Sequence, residues 1–264
     1  QGSVIGPLLF VLFINDIVRL FDNSKCTCKL YADDVKLYSV LETDADLSQL
    51  QSKLNDICNW SNTWQLCISY TKCNVIFIGN ISNCNTNLFL NSNLLPVMDK
   101  VRDLGVIVDS KLSFVPHINQ IAARAFIRAS LIHKCFVSRD TATLTHAFIV
   151  YVRPLLEYAS CVWSPHQVGK INQLEAVQRK FTKRLPGLAM LSYGERLAYL
   201  GLQSLEMRRL KQDLVYCYKI VFGHVNACGE LFQLSSSVNT SIGTRGPIYK
   251  LFPHCSRVDA RKFF

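Results

Sequence analysis

The chain has 264 residues, 49% of them hydrophobic and 18% charged, enough apolar matter for one large domain or two modest ones and too much for a disordered chain. Its net charge of +10 is unevenly placed: residues 1–115 hold nine Lys/Arg against eleven Asp/Glu, and residues 116–264 hold twenty against eight. A near-neutral front joined to a basic back fits a catalytic body with a polyanion-binding extension, and the plain alternative is a solvated basic surface without a partner. The eleven cysteines form no CxxC pair and no zinc-finger spacing, so they read as reduced thiols of an intracellular protein that is not secreted. No signal-peptide pattern is present, and Asn15, Asp16 and Arg19 interrupt the apolar run 4–20, which argues against a membrane span.

In chain order, residues 1–7 form a glycine-punctuated loop, with Pro7 suited to the first turn of a helix over Leu8–Phe21 that is apolar enough to lie buried. Two strand-like runs follow, Thr27–Ala32 and Val35–Val40, separated by Asp33 and Asp34; this predicts a β-hairpin with two carboxylates at its tip. Leu47, Leu50, Leu54, Ile57 and Trp64 recur at helical steps from about Asp44 to Trp64, with Thr43 or Asp44 as the cap. Cys67–Ile78 reads as a strand, residues 79–93 as an Asn-rich loop, and Val101–Val108 as a further strand with Gly105 in its middle. From His117 onward the pattern is helical: Ile118–Val137, Thr141–Val152, Ile171–Leu185, Tyr193–Leu200 and Leu205–Phe222, punctuated by Pro154, Pro165 and Pro186-Gly187. The predicted fold is therefore α+β: an α+β unit over 1–115, an all-helical one over 116–223, and an irregular segment over 224–264. The aromatic residues Trp60, Trp64, Tyr216 and Tyr218 are expected in the core, with base-stacking platforms as the alternative.

Tyr31-Ala32-Asp33-Asp34 carries the strongest chemical signal. Template-directed polymerisation needs two Mg²⁺ ions held by hard carboxylate oxygens, and a hairpin is a rigid place for such ligands. An Asp-Asp turn alone is weak, because Asp is a common turn residue. Other segments lie around it in a fixed order: Gln1 to Phe10, then Ile14-Asn15-Asp16, then Leu30 to Tyr38, then Trp60 and Trp64-Gln65-Leu66 with Lys72-Cys73, then Leu104 to Asp109 with Leu112-Ser113-Phe114 and His117-Ile118. In that order and spacing they resemble the consecutive motifs of non-LTR (LINE-type) retrotransposon reverse transcriptases. Arg153 to Ser160 with Val162-Trp163-Ser164-Pro165, and Leu174-Glu175 with Val177 to Lys180, resemble the helical region that follows the polymerase in jockey- and CR1-like elements.

The resemblance implies a polymerase palm with a small antiparallel sheet and packed helices, followed by a thumb-like helical region. It implies an RNA-directed DNA polymerase with an RNA template, a DNA primer, deoxynucleoside triphosphates and two Mg²⁺ ions. Asp33 is then a metal ligand and Asp34 a nearby metal-site carboxylate. Gln1, Gly2 and Tyr31 border the incoming nucleotide. Lys72 either protonates the leaving pyrophosphate or is a solvated strand-end lysine. Leu104 and Gly105 match the hairpin that grips the primer, with plain sheet packing as the alternative. Arg124, Arg128, Lys134, Arg179, Lys180, Lys183 and Arg184 are candidates for phosphate contacts on the duplex, although for any single one a solvated surface charge is the stronger reading. The family also uses a third carboxylate from a strand ahead of residue 1, together with fingers and an upstream endonuclease. Both ends are therefore expected to be cut, and the fragment inactive by itself. Ser69-Tyr70-Thr71 departs from the family pattern ahead of Lys72, which bears on the nucleotide pocket. A non-catalytic nucleic-acid-binding remnant of a decayed or co-opted element is the second reading. A group II intron-type reverse transcriptase ranks third, because it lacks the match at residues 153–165.

Overall fold

The computed structural model describes residues 3–22, 24–79 and 87–225, with Ser235 and residues 249–252. It is a mixed assembly of helices and small antiparallel sheets. The chain divides into two compact units, Gln1–Val101 and Arg102–Phe264. Among the described residues no helix is long and apolar enough to cross a membrane.

In the first unit, α1 spans Gly6–Ile14 with Pro7 in its first turn, and the chain then tightens into a 3₁₀ helix, Asn15–Phe21. The expected continuous buried helix is corrected on both counts. The chain changes helix type at Asn15, and of α1 only Ile14 is buried while Leu8 stays 62% exposed. The apolar face that sequence assigns to a core is not covered within this unit. Strands β1 (Thr27–Tyr31) and β2 (Asp34–Tyr38) pair antiparallel, with Cys28 opposite Leu37, Leu30 opposite Val35 and Tyr31 opposite Asp34. Because side chains alternate, Cys28, Leu30 and Leu37 fall on one face, which packs with Ile17, Phe21 and Cys26.

Helix α2 (Asp44–Thr63) divides its apolar stripe between two clusters. Ile57 lies under β1–β2, and Leu54 and Cys58 pack with Leu88, Leu90 and Leu95 around a second hairpin. That hairpin pairs β3 (Phe89–Leu90) with β4 (Asn93–Leu94) across Asn91 and Ser92, both at positive φ as a tight two-residue turn requires. Gln51 of α2 holds its edge like a strand: the side-chain amide donates to Phe89 O at 2.9 Å and accepts from Phe89 N at 2.8 Å. The predicted strand Cys67–Ile78 is not formed. A 3₁₀ turn takes Tyr70–Lys72, and only Val75 bridges, to Val97. The Trp pair is only partly core: Trp60 is half-buried, and Trp64 is exposed and meets the Phe13 ring edge-on at 5.1 Å.

In the second unit, β5 (Lys100–Asp103, whose first residues belong to the first unit) and β6 (Val106–Asp109) form a hairpin through Leu104-Gly105; the single strand expected over 101–108 turns back on itself. Helices α3 (Val115–Cys135), α4 (Thr141–Tyr151), α5 (Arg153–Glu157), α6 (Ser160–Trp163), α7 (Val168–Lys183), α8 (Tyr193–Leu200) and α9 (Leu205–Val221) follow. Their shared core contains Ile118, Leu144, Phe148, Leu156, Trp163, Leu174, Val177 and Leu205. Glu175 of α7 is buried and accepts from the backbone N–H groups of Leu205 and Glu206, so it caps the positive end of α9. Burial and that carboxylate push the Tyr193 phenol, which also donates to Glu175, well above its ordinary pKa. Tyr216 and Tyr218, expected in the core, lie exposed on α9.

The start of α2 depends on one buried carboxylate. Asp46 accepts from Lys25 Nζ at 2.9 Å, from the Thr43 hydroxyl and N–H at 2.8 Å each, and from Glu42 N at 3.1 Å. These donors, the Lys25 ammonium first, hold its carboxyl well below the usual carboxylate range. A depressed folded pKa stabilises the fold fully above the unfolded value of about 4, and that contribution is lost as pH falls further. Asp46→Asn should lower melting temperature at neutral pH and flatten its decline below about pH 4, measured by circular dichroism melts across an acid series.

Candidate active site

The β1–β2 hairpin places its carboxylates by backbone geometry. Asp33 occupies the turn itself, and Asp34 opens β2 opposite Tyr31. In the alternation Asp34 and Tyr31 lie on the face away from Cys28, Leu30 and Leu37, and both are exposed, Tyr31 at 67%. The core therefore holds one face of the hairpin and leaves its acidic corner to solvent. The turn is bought with backbone strain, since Ala32 stands at φ +51°, a conformation that suits glycine.

Lys72 ends the 3₁₀ turn Tyr70–Lys72 and is exposed, and neither a hydrogen bond nor an ion pair joins it to Asp33 or Asp34. Gln1 and Gly2 lie outside the described residues. Asp33 and Asp34 supply the hard oxygens that Mg²⁺ prefers. An ion that keeps waters and substrate phosphates in its shell needs only one or two protein carboxylates, so the residue chemistry fits. Among the described residues no group of three His, Cys, Asp or Glu is gathered that could hold a metal alone.

In the second unit the Leu104-Gly105 turn is held by residues that motif reading did not single out for a role. Gly105 has φ +89° and Leu104 φ +43°. The Tyr158 hydroxyl donates to Leu104 O at 3.0 Å, and Ile107 N donates to His117 Nδ1 at 3.2 Å. His117 is buried, its ring meets Trp163 edge-on at 5.2 Å, and burial followed by the Arg102 charge lowers its pKa. Arg208 makes a two-pronged contact with Glu157, anchoring α9 to α5. The signal for these residues was the run Arg153 to Tyr158 with Trp163, but its contacts are long-range.

The basic candidates separate. Lys180, Lys183 and Arg184 of the α7 end line one groove of about 260 Å³ with Phe126, Ser130 and His133 of α3. The Lys180 ammonium sits 4.9 Å from the Phe126 ring. Arg128 instead donates to Tyr151 O at the end of α4, and Arg179 lies over the Tyr193 ring at 5.1 Å. Arg124 and Lys134 are exposed on α3.

The reverse transcriptase (RNA-dependent DNA polymerase) family matches residues 1–108. The chain is 28% identical over 201 residues to the RNA-directed DNA polymerase from mobile element jockey of Drosophila funebris, covering 71% of this chain and 21% of that protein. It is 27% identical over 191 residues to the probable RNA-directed DNA polymerase from transposon BS of Drosophila melanogaster, covering 68% and 21%. Residues 1–108 thus match a reverse transcriptase domain, and the chain is similar to the RNA-directed DNA polymerases of these non-LTR mobile elements. An uncharacterised protein of Caenorhabditis elegans is 30% identical over 130 residues, 48% of this chain and 66% of that one. The alignments to the mobile-element polymerases are longer than the matched domain, so the likeness to these reverse transcriptases continues into the helices. This chain spans about a fifth of the length of the jockey polymerases it matches. No solved structure matches it.

Ala32→Gly should relieve the turn and raise the stability of the first unit by about 0.5–1 kcal/mol, read from urea unfolding. A loss of stability would show that the strain relieved at φ +51° is smaller than the entropy glycine adds to the unfolded chain.

Proposed function

We propose that this chain is the part of an RNA-directed DNA polymerase that carries its catalytic hairpin. The reaction is nucleotidyl transfer from a deoxynucleoside triphosphate to a primer 3′-hydroxyl on an RNA template. The observation that carries the reading is the pair Asp33-Asp34, set at a solvent-facing turn by a hairpin whose other face is packed. On this reading residues 1–115 are the palm, residues 116–223 a thumb-like region, and the protein works inside the cell.

Asp33 and Asp34 would hold Mg²⁺, which supplies polarisation of the phosphoryl oxygens and a more acidic primer hydroxyl. Asp33 is the ligand, and Asp34 contributes charge beside it. Tyr31, paired with Asp34, borders the nucleotide together with Gln1 and Gly2. Lys72, exposed at the end of the Tyr70–Lys72 turn, delivers a proton to the leaving pyrophosphate. Leu104 and Gly105 set the primer end. Lys180, Lys183 and Arg184, with Arg124, meet backbone phosphates of the duplex, which gives affinity and salt dependence rather than sequence preference. Arg128 contributes there only with what its bond to Tyr151 O leaves free.

Primer extension on an RNA template by the full-length protein carrying this chain tests the reading. Asp33→Ala should reduce extension by about a thousandfold or more, because metal-borne charge stabilisation is worth several kcal/mol, while salt-sensitive duplex binding persists. A wild-type protein that binds duplex with the same salt dependence yet extends nothing would contradict it and favour the non-catalytic remnant.

A further inference from the structure

The Leu104-Gly105 turn is an unusual one. A two-residue hairpin turn with positive φ at both positions favours Asn-Gly, because the first position penalises side chains that gain nothing locally. Here that position is a leucine at φ +43°, and the residue is 44% exposed, so burial does little to offset the strain. Something outside the turn must hold it.

The structure supplies a closed set of braces, all within the second unit. On the β6 side, Ile107 N–H donates to His117 Nδ1 of α3, and the His117 ring rests against Trp163. Trp163 is 2% exposed, and its Nε1–H donates to Tyr158 O at 2.9 Å. That bond fixes the sharp corner between α5 and α6, where Ala159 takes φ +52°. Tyr158 then returns to the hairpin: its hydroxyl donates to Leu104 O, and its ring covers Gly105. A Cβ added at Gly105 would stand 3.3 Å from Tyr158 Cε1. Tyr158 is itself 59% exposed, so water would satisfy both its hydroxyl and the Leu104 carbonyl. The direct bond is not forced by burial, and what it adds is geometry.

We propose that Tyr158 is a positioning residue, which locks the Leu104-Gly105 turn so that the exposed Leu104 tip is presented to the primer end in one conformation. The primer half of this inference rests on the polymerase reading above. The turn half does not.

The test uses the full-length protein with Tyr158→Phe, which keeps the ring over Gly105 and removes only the hydroxyl, and with Gly105→Ala, which presses a methyl on the same ring. Hydrogen–deuterium exchange reads the turn, and primer extension reads its use. In Tyr158→Phe the amides of residues 104–106 should exchange about five- to tenfold faster, the loss of one hydrogen bond, with α3 and α7 protection and melting temperature unchanged. KM for primer–template should rise about tenfold while KM for the nucleotide stays within about twofold, and Gly105→Ala should show the same split. Unchanged exchange at the turn in Tyr158→Phe overturns the lock. A loosened turn with unaltered primer KM overturns the positioning role. A wild type that extends no primer overturns the polymerase reading and the primer half with it, while the exchange result still decides whether Tyr158 holds the turn.

Discussion

A two-stranded hairpin is marginal in water on its own, and every sheet among the described residues has two strands. That constraint governs where the candidate chemistry can be placed. Each hairpin persists because a helix gives it a partner: Ile57 of α2 under β1–β2, Leu54, Cys58 and the Gln51 amide of the same helix against β3–β4, and His117 of α3 beside β6. Packing takes one face of a hairpin and leaves the turn and the opposite face to solvent, which is where Asp33, Asp34 and Leu104 stand. The helices hold the turns, and the turns carry the polar and exposed groups.

In the helical unit the same economy applies to charge. Two largely buried carboxylates have internal partners: Glu157 with Arg208 and Arg153, and Glu175 with the α9 N-terminus and Tyr193. They connect α5 to α9 and α7 to α9, so the corner that bears Tyr158 is fixed from behind. The groups left at the surface for a polyanion are then the ones without structural work. Lys183 and Arg184 at the end of α7 are such a pair, whereas Lys180, Arg128 and Arg179 are partly committed to a phenylalanine ring, a carbonyl and a tyrosine ring. A cluster of basic residues in sequence is thereby sorted by what each guanidinium or ammonium already touches.

Much of this was legible in the sequence where the signal is local. The strand alternation around Asp33-Asp34 gave the hairpin to within two residues, and α2 starts at Thr43, one of the two caps expected. Motif order gave the family. Three things were not legible, each for a non-local reason. The run Cys67–Ile78 has strand composition, but a 3₁₀ turn at Tyr70–Lys72 intervenes and only Val75 finds a partner. Composition marks α1, Tyr216 and Tyr218 as core material, yet burial depends on what packs against a face, which composition does not carry. The part played by Tyr158 depends on a carbonyl 54 residues away, and the strained leucine that makes it necessary is visible only in the backbone angles.

Native-state hydrogen exchange as a function of denaturant tests the central claim most directly, because it reads whether the β1–β2 hairpin has stability of its own. The account predicts that the paired amides of β1 and β2 open together with α2, at the same free energy and with the same denaturant dependence. If β1–β2 stayed protected under conditions where α2 has already opened, the hairpin would be holding itself, and the claim that helices hold the acidic turn would be wrong.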